Sequence, residues 1–155
     1  MTERVRDGGS LDLSQILAVL PHRFPWVLVD RVASIQIGRS IRGTKCVTYN
    51  EPWFQGHSPQ HPSMPGVLVL EALSQIATVL AYASDPFDRS MSFLYFIGID
   101  KAKLRRPAVP GDRIDLKVEV LHHQSNAWAF HGEASVDGAL CADAEFVASV
   151  VERNP

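Results

Sequence analysis

A histidine and a carboxylate fourteen residues apart are the groups in this chain best suited to chemistry. His57 lies in the stretch Gly56-His57-Ser58-Pro59-Gln60-His61-Pro62-Ser63-Met64-Pro65-Gly66, and Glu71 lies in the apolar run that follows, Val67-Leu68-Val69-Leu70-Glu71-Ala72-Leu73-Ser74-Gln75. An imidazole, whose ordinary pKa of about 6.5 is close to neutrality, suits removal of a proton from a carbon beside a carbonyl. A carboxyl set among Val67, Leu68, Leu70 and Leu73 is expected to be pushed to a higher pKa by burial and so to donate a proton. Between the two, Pro65-Gly66 reads as a helix opening, whose free N–H groups and dipole would hold and polarise a carbonyl oxygen. Gly66, lacking a side chain, would let a substrate approach the backbone closely.

These groups need elements to hold them. Pro52, Pro59, Pro62 and Pro65 restrict the backbone of the loop between Asn50 and Gly66, which favours a shaped segment that folds back toward the helix over a flexible tether. From Val67 to Ala83 the pattern predicts one long helix, apolar on nearly every side and interrupted too often by polar residues to be a membrane span. Its polar residues Glu71, Ser74, Gln75, Thr78 and Tyr82 recur at offsets of 3, 4, 7 and 11, which puts them on one narrow stripe.

Upstream, Asp12 with Gln15 three positions later forms a capping box for a short helix over Leu13–Leu20, ended by Pro21. Val27–Val32 and Ile35–Val47, the latter broken by Gly38 and Gly43, read as the first strands. Downstream, Ser92–Ile97 is extended. Ile114, Leu116, Val118 and Val120 alternate with charged residues. Trp128, Phe130, Ala134 and Val136 then lead through an Asp137-Gly138 hairpin into Leu140, Ala142, Ala144, Phe146 and Ala148. One long helix with a multi-stranded antiparallel sheet is an α+β architecture. Residues 1–10 read as a disordered lead-in and residues 11–155 as a single domain.

Composition excludes several classes of function. With 46% hydrophobic and 21% charged residues the chain is of ordinary globular type, and a net charge of −2 gives no general attraction to nucleic acid or anionic lipid. Cys46 and Cys141 lie far apart in strand-like segments, which fits a reduced, cytoplasmic setting. No pair among His22, His61, His122, His123 and His131 shows zinc-ligand spacing or an arrangement comparable to that around His57, so neither metal nor cofactor is expected.

Taken together, several separated blocks resemble the FabZ-type 3-hydroxyacyl-acyl-carrier-protein dehydratases. These are Leu20-Pro21-His22-Arg23-Phe24-Pro25, Leu28-Val29-Asp30-Arg31-Val32, Asn50-Glu51-Pro52-Trp53-Phe54-Gln55-Gly56-His57, Met64-Pro65-Gly66-Val67-Leu68, Glu71-Ala72, Gly98-Ile99-Asp100-Lys101-Ala102-Lys103, Arg105-Arg106-Pro107 and Val109-Pro110-Gly111-Asp112. The resemblance implies a hot-dog fold, in which an antiparallel sheet wraps the long helix, assembled as a homodimer and commonly as a trimer of dimers. It implies His57 as catalytic base and Glu71 as catalytic acid, supplied to each site by opposite subunits, with Gly66 binding the thioester carbonyl. Tyr95 would line or gate the acyl tunnel, or else serve as a sheet aromatic. Lys101, Lys103, Arg105 and Arg106 would meet an acidic acyl carrier protein, or else form a solvated strand edge.

This chain departs from the family at Ser58, where an aromatic is usual, at Gln60, where glycine is usual, and at Ser63, where an aliphatic is usual. The implied reaction is dehydration of a (3R)-3-hydroxyacyl thioester to the trans-2-enoyl thioester. The competing readings are a hot-dog thioesterase and a non-catalytic acyl-carrier-binding protein.

Overall fold

The computed structural model describes residues 5–153. In chain order its elements are α1 (Leu13–Leu17), β1 (Arg31–Gln36), β2 (Ser40–Cys46), a 3-10 turn (Pro52–Gln55), α2 (Gly66–Ser84), β3 (Ser92–Leu104), β4 (Arg113–Gln124), β5 (Ala127–Val136) and β6 (Ala139–Glu152). The strands form one six-stranded sheet in the order β1-β2-β4-β5-β6-β3, and every neighbouring pair is antiparallel. α2 packs across β2, β4, β5 and β6. This is the α+β arrangement expected from the residue pattern.

The sheet wraps α2 closely enough to bury it on almost all sides. Ala72, Leu73, Ile76, Ala77, Val79, Leu80 and Ala81 are fully enclosed, which is why a helix with so weak an apolar–polar division is stable in a folded chain. By length and composition α2 does meet the requirement of a membrane-crossing helix, against the sequence expectation, but two thirds of it (67%) is buried inside the fold. Gly43 on β2 makes the close approach possible. A Cβ there would lie 2.5 Å from the Arg31 carbonyl oxygen and 2.6 Å from Cδ1 of Ile76 on α2.

Alternation on β4 and β5 matches the core: Ile114, Leu116, Val118, Trp128, Phe130, Ala134 and Val136 are buried, each on the face toward the helix. The hairpin between β5 and β6 turns at Asp137 (φ 50°) and Gly138 (φ 78°), the doubly left-handed turn that Asp-Gly favours.

The early segments differ in detail. The capping box at Asp12 and Gln15 is present, but α1 ends at Leu17, before Pro21. Val27–Asp30 is irregular, and the first strand begins at Arg31, with Gly38 in the turn to β2. Residues 1–4 of the expected lead-in lie outside the described residues. Residues 5–10 run against β1, with the Gly8 N–H bonded to the Ile35 carbonyl (2.7 Å) and the Ile37 N–H bonded to Asp7 Oδ1 (2.8 Å).

Candidate active site

The loop carrying His57 is anchored from beneath by a buried cation. Lys45 on β2 is only 4% exposed. Its ammonium donates to Glu51 Oε1 and to the Cys46 carbonyl (2.6 Å), and lies 3.8 Å from Asp30 Oδ2. The carboxylates carry the anchorage outward, because Glu51 Oε2 accepts from the Thr48 N–H (3.1 Å) and Asp30 Oδ2 from the Cys46 N–H (2.6 Å). A buried charge is stable only when paired and hydrogen-bonded in this way. Glu51 then opens the 3-10 turn whose Trp53 carbonyl receives the His57 N–H (2.9 Å).

The His57 side chain is exposed, and its Nδ1 lies 2.9 Å from the Ser63 carbonyl oxygen. A carbonyl only accepts, so Nδ1 carries the hydrogen, and in the neutral ring the lone pair is then on Nε2, the form a general base requires. Ser63 contributes through its main chain, which any residue there would supply. Ser58 sits at φ 53°, in the left-handed region, where a small polar residue is tolerated better than a bulky one.

Glu71 lies elsewhere. It opens onto a cavity of about 470 Å³ between α2, the Val19–Arg23 segment, the turn after α2 and β3. The polar stripe lines this cavity with Glu71, Ser74, Gln75 and Thr78, and Phe87, Phe93, Leu94 and Phe96 add apolar wall. Tyr82, the fifth member of the stripe, falls outside it.

The fully buried Gln75 fixes the carboxylate. Its Oε1 accepts from the Leu28 N–H (2.8 Å), and its Nε2 donates both to the Trp26 carbonyl (2.7 Å) and to Glu71 Oε1 (2.9 Å). His22 Nε2 lies 3.3 Å from the same Glu71 oxygen. Burial pushes the Glu71 carboxyl upward, but the contacts from His22 and Gln75, together with the charge of His22, outweigh it and hold the group below its usual value. The raised pKa expected from the apolar sequence is thereby corrected: the expectation counted neighbours along the helix, and the polar partners come from Gln75 one turn on and from a distant loop. His22, given no role from its spacing, is the residue that sequence reasoning missed. Its signal was its place in the Leu20–Pro25 block, since no local pattern links it to Glu71.

Gly66 opens α2 behind Pro65, as predicted. The space its Cβ would take is filled by Leu104, whose Cδ1 would lie 2.6 Å away, so packing against β3 explains the glycine. Its N–H nevertheless belongs to the first turn, where no intrahelical partner exists. Tyr95 is 55% exposed, stands edge-on to Phe93 and borders the Glu71 cavity.

The basic cluster divides. Lys101 pairs with Glu145 (2.8 Å) and Arg105 with Asp143 (2.8 Å), whereas Lys103 and Arg106 pair with no carboxylate among the described residues. Within the single chain, His57 makes no hydrogen bond or ion pair with Glu71 and does not line its cavity.

Residues 20–145 match the FabA-like domain family. The chain belongs to the FabA-like family. It is 60% identical, over all 155 residues and the whole length of the relative, to the 3-hydroxyacyl-[acyl-carrier-protein] dehydratase FabZ of Sorangium cellulosum (strain So ce56). The corresponding FabZ of Myxococcus xanthus (strain DK1622) is 49% identical over 144 residues, 93% of this chain and 94% of that one. The FabZ resemblance drawn from the sequence blocks is borne out.

Among solved structures, the dehydratase heterocomplex ApeI:P from Xenorhabdus doucetiae matches this FabA-like chain with a TM-score of 0.71 at 18% identity, covering 90% of this chain and 91% of that one. A mutant thioesterase from Pseudomonas aeruginosa matches with a TM-score of 0.68 at 16% identity, covering 92% and 96%. At such identities these structures speak for the fold alone, and that fold is the hot-dog fold.

Proposed function

We propose that this FabA-like chain dehydrates a (3R)-3-hydroxyacyl group, held as a thioester on acyl carrier protein, to the trans-2-enoyl thioester and water, as a step of fatty acid biosynthesis. The reading is carried by the supported carboxylate of Glu71, facing a largely apolar cavity, in a chain whose near-full-length relatives are named as dehydratases of this kind.

In this mechanism Nε2 of His57 removes a proton from C2. The electron pair forms the C2–C3 double bond, and the C3 hydroxyl departs with a proton from Glu71 as water. The N–H of Gly66, at the positive end of α2, stabilises the negative charge that develops on the thioester oxygen. Tyr95, at the edge of the cavity, borders the acyl chain. A carboxyl that is ionised at neutral pH in the single chain must be protonated before it acts, which entry of an apolar acyl chain favours by displacing water.

Each site is completed by two subunits, with His57 from one and Glu71 from the other. Two observations support a homodimer. The two groups are apart within a protomer, and β3, an edge of the sheet, carries Tyr95, Ile97 and Ile99 exposed at 55%, 64% and 49%. A long apolar edge of this kind calls for a covering partner. A trimer of dimers is the larger assembly we propose, in the cytoplasm. Lys103 and Arg106, without carboxylate partners among the described residues, are the cations we assign to an acidic carrier surface, with Lys101 and Arg105 already engaged.

Mixing subunits tests the shared site. His57→Ala and Glu71→Gln proteins should each be nearly inactive on a 3-hydroxyacyl carrier-protein substrate. Refolded together in equal amounts, they should recover about a quarter of wild-type turnover, because each mixed dimer holds one intact pair. Full activity of either variant alone would overturn the assignment of its residue, and no recovery on mixing would overturn the shared site.

A further inference from the structure

On the reading that Glu71 is the acid, we propose that His22 is a positioning residue which, with Gln75, occupies Oε1 of Glu71 and so places the transferable proton on Oε2.

Three observations converge. First, Oε1 faces both Gln75 Nε2 (2.9 Å) and His22 Nε2 (3.3 Å), whereas no described residue donates to Oε2. With Oε1 taken by the Gln75 N–H and closely faced by the His22 ring nitrogen, a proton added to the carboxyl resides on the other oxygen. Second, Gln75 cannot turn away, because its remaining donor and acceptor are held by Trp26 and Leu28. Third, His22 Nδ1 is buried and has no partner among the described residues. A hydrogen on Nδ1 would be buried without an acceptor, so in the neutral ring the hydrogen belongs on Nε2, directed to Glu71.

The other charged or titratable groups bordering the cavity are Arg23 beside His22, Arg89 after α2, Tyr95 on β3 and Arg153 after β6. None of them hydrogen-bonds or pairs with Glu71. Arg23 is turned onto the Leu20 and His22 carbonyls (2.8 and 2.6 Å), Arg89 lies over the Tyr82 ring, and Arg153 lies over the Phe93 ring. His22 is thus the titratable side chain in contact with the carboxylate.

The test compares pH profiles of kcat and kcat/KM for wild type, His22→Phe and His22→Gln with a 3-hydroxyacyl carrier-protein substrate. His22→Phe keeps a ring in place but removes the donor and the charge, leaving burial less opposed. The limb of the profile that reports the Glu71 carboxyl, which is held below its usual value, should therefore move to higher pH. kcat should fall about tenfold, the size of one hydrogen bond to a charged group, while KM stays within about twofold. His22→Gln, which returns an uncharged N–H, should recover part of kcat.

In the Glu71→Gln background that limb should be gone, leaving only the limb of the base, and His22→Phe should cause no further shift. An unmoved Glu71 limb in His22→Phe, or a rise in KM with kcat unchanged, would overturn the positioning role. Should His22→Phe fail to fold, a Glu71 limb moved to higher pH together with a kcat between those of wild type and Glu71→Gln in His22→Gln would count in favour, and an unmoved limb with unchanged kcat there would count against. Wild-type turnover by Glu71→Gln would instead remove the acid role on which this inference rests.

Discussion

The loop that carries His57 and the helix face that carries Glu71 present their functional groups in opposite ways. His57 stands in solvent, held by one contact to the Ser63 carbonyl and by a backbone anchored on the buried Lys45. Glu71 is half-buried, and its support is a chain of side-chain hydrogen bonds through Gln75 to Trp26 and Leu28. The contrast teaches that a base can be left accessible when only one ring nitrogen needs directing, whereas a carboxylate brought into a largely apolar cavity needs polar partners of its own. On the proposed roles it also separates catalysis from stability: the first region should lose its functional group without loss of folding, and the second should not be altered so freely.

The largest expected effect breaks the comparison at its exposed side. His57→Ala should lower turnover on a 3-hydroxyacyl carrier-protein substrate by about a thousandfold, within the range of general-base contributions, and leave the urea midpoint nearly unchanged because the ring is exposed and held by one bond to the Ser63 carbonyl. A matching fall in the urea midpoint would show that the loop's structure depends on the ring.

Next comes the anchor beneath the loop. Glu51→Ala leaves the Lys45 ammonium short of its nearest counter-ion and frees the Thr48 N–H, so it should cost about 3 kcal/mol in urea unfolding and reduce turnover through the displaced His57 loop. Unchanged stability would mean that Asp30 alone suffices for Lys45.

On the buried side, Gln75→Leu strips partners from the Leu28 N–H, the Trp26 carbonyl and Glu71 together. A loss of about 2 kcal/mol is expected by the same measurement, with lowered kcat alongside it. Loss of kcat without loss of stability would put Gln75 on the same footing as His57.

The smallest effect sharpens the contrast through pH. Because the folded-state pKa of Glu71 lies below its ordinary value, its contribution to stability is present above the ordinary carboxylate pKa and fades as pH falls through the lower folded value. Glu71→Gln should flatten that part of the acid-side decline in Tm, and His57→Ala should leave it as in wild type.

Much of the fold was legible because its signals are local. The alternation of Ile114, Leu116 and Val118, the Asp137-Gly138 hairpin and the apolar stretch from Val67 to Ala83 each depend on residues close in sequence. The misjudged boundaries fall where tertiary contacts compete. Val27–Asp30 has strand-like residues but gives the Leu28 N–H to a glutamine side chain, which displaces the regular pairing of a strand.

The candidate site divides along the same line. Residue types and spacing alone pointed to His57 and to a carboxylate on a polar stripe, because imidazole chemistry and the periodicity of a helix are properties of the chain itself. The likeness to a family added the reaction. That Glu71 is held below its usual pKa, that His22 and Gln75 face one of its oxygens, and that His57 neither bonds to it nor lines its cavity within the single chain were decided only by the tertiary structure. Each depends on segments 14 to 49 residues apart meeting in space, and electrostatics between side chains depends on distance, which sequence separation does not encode.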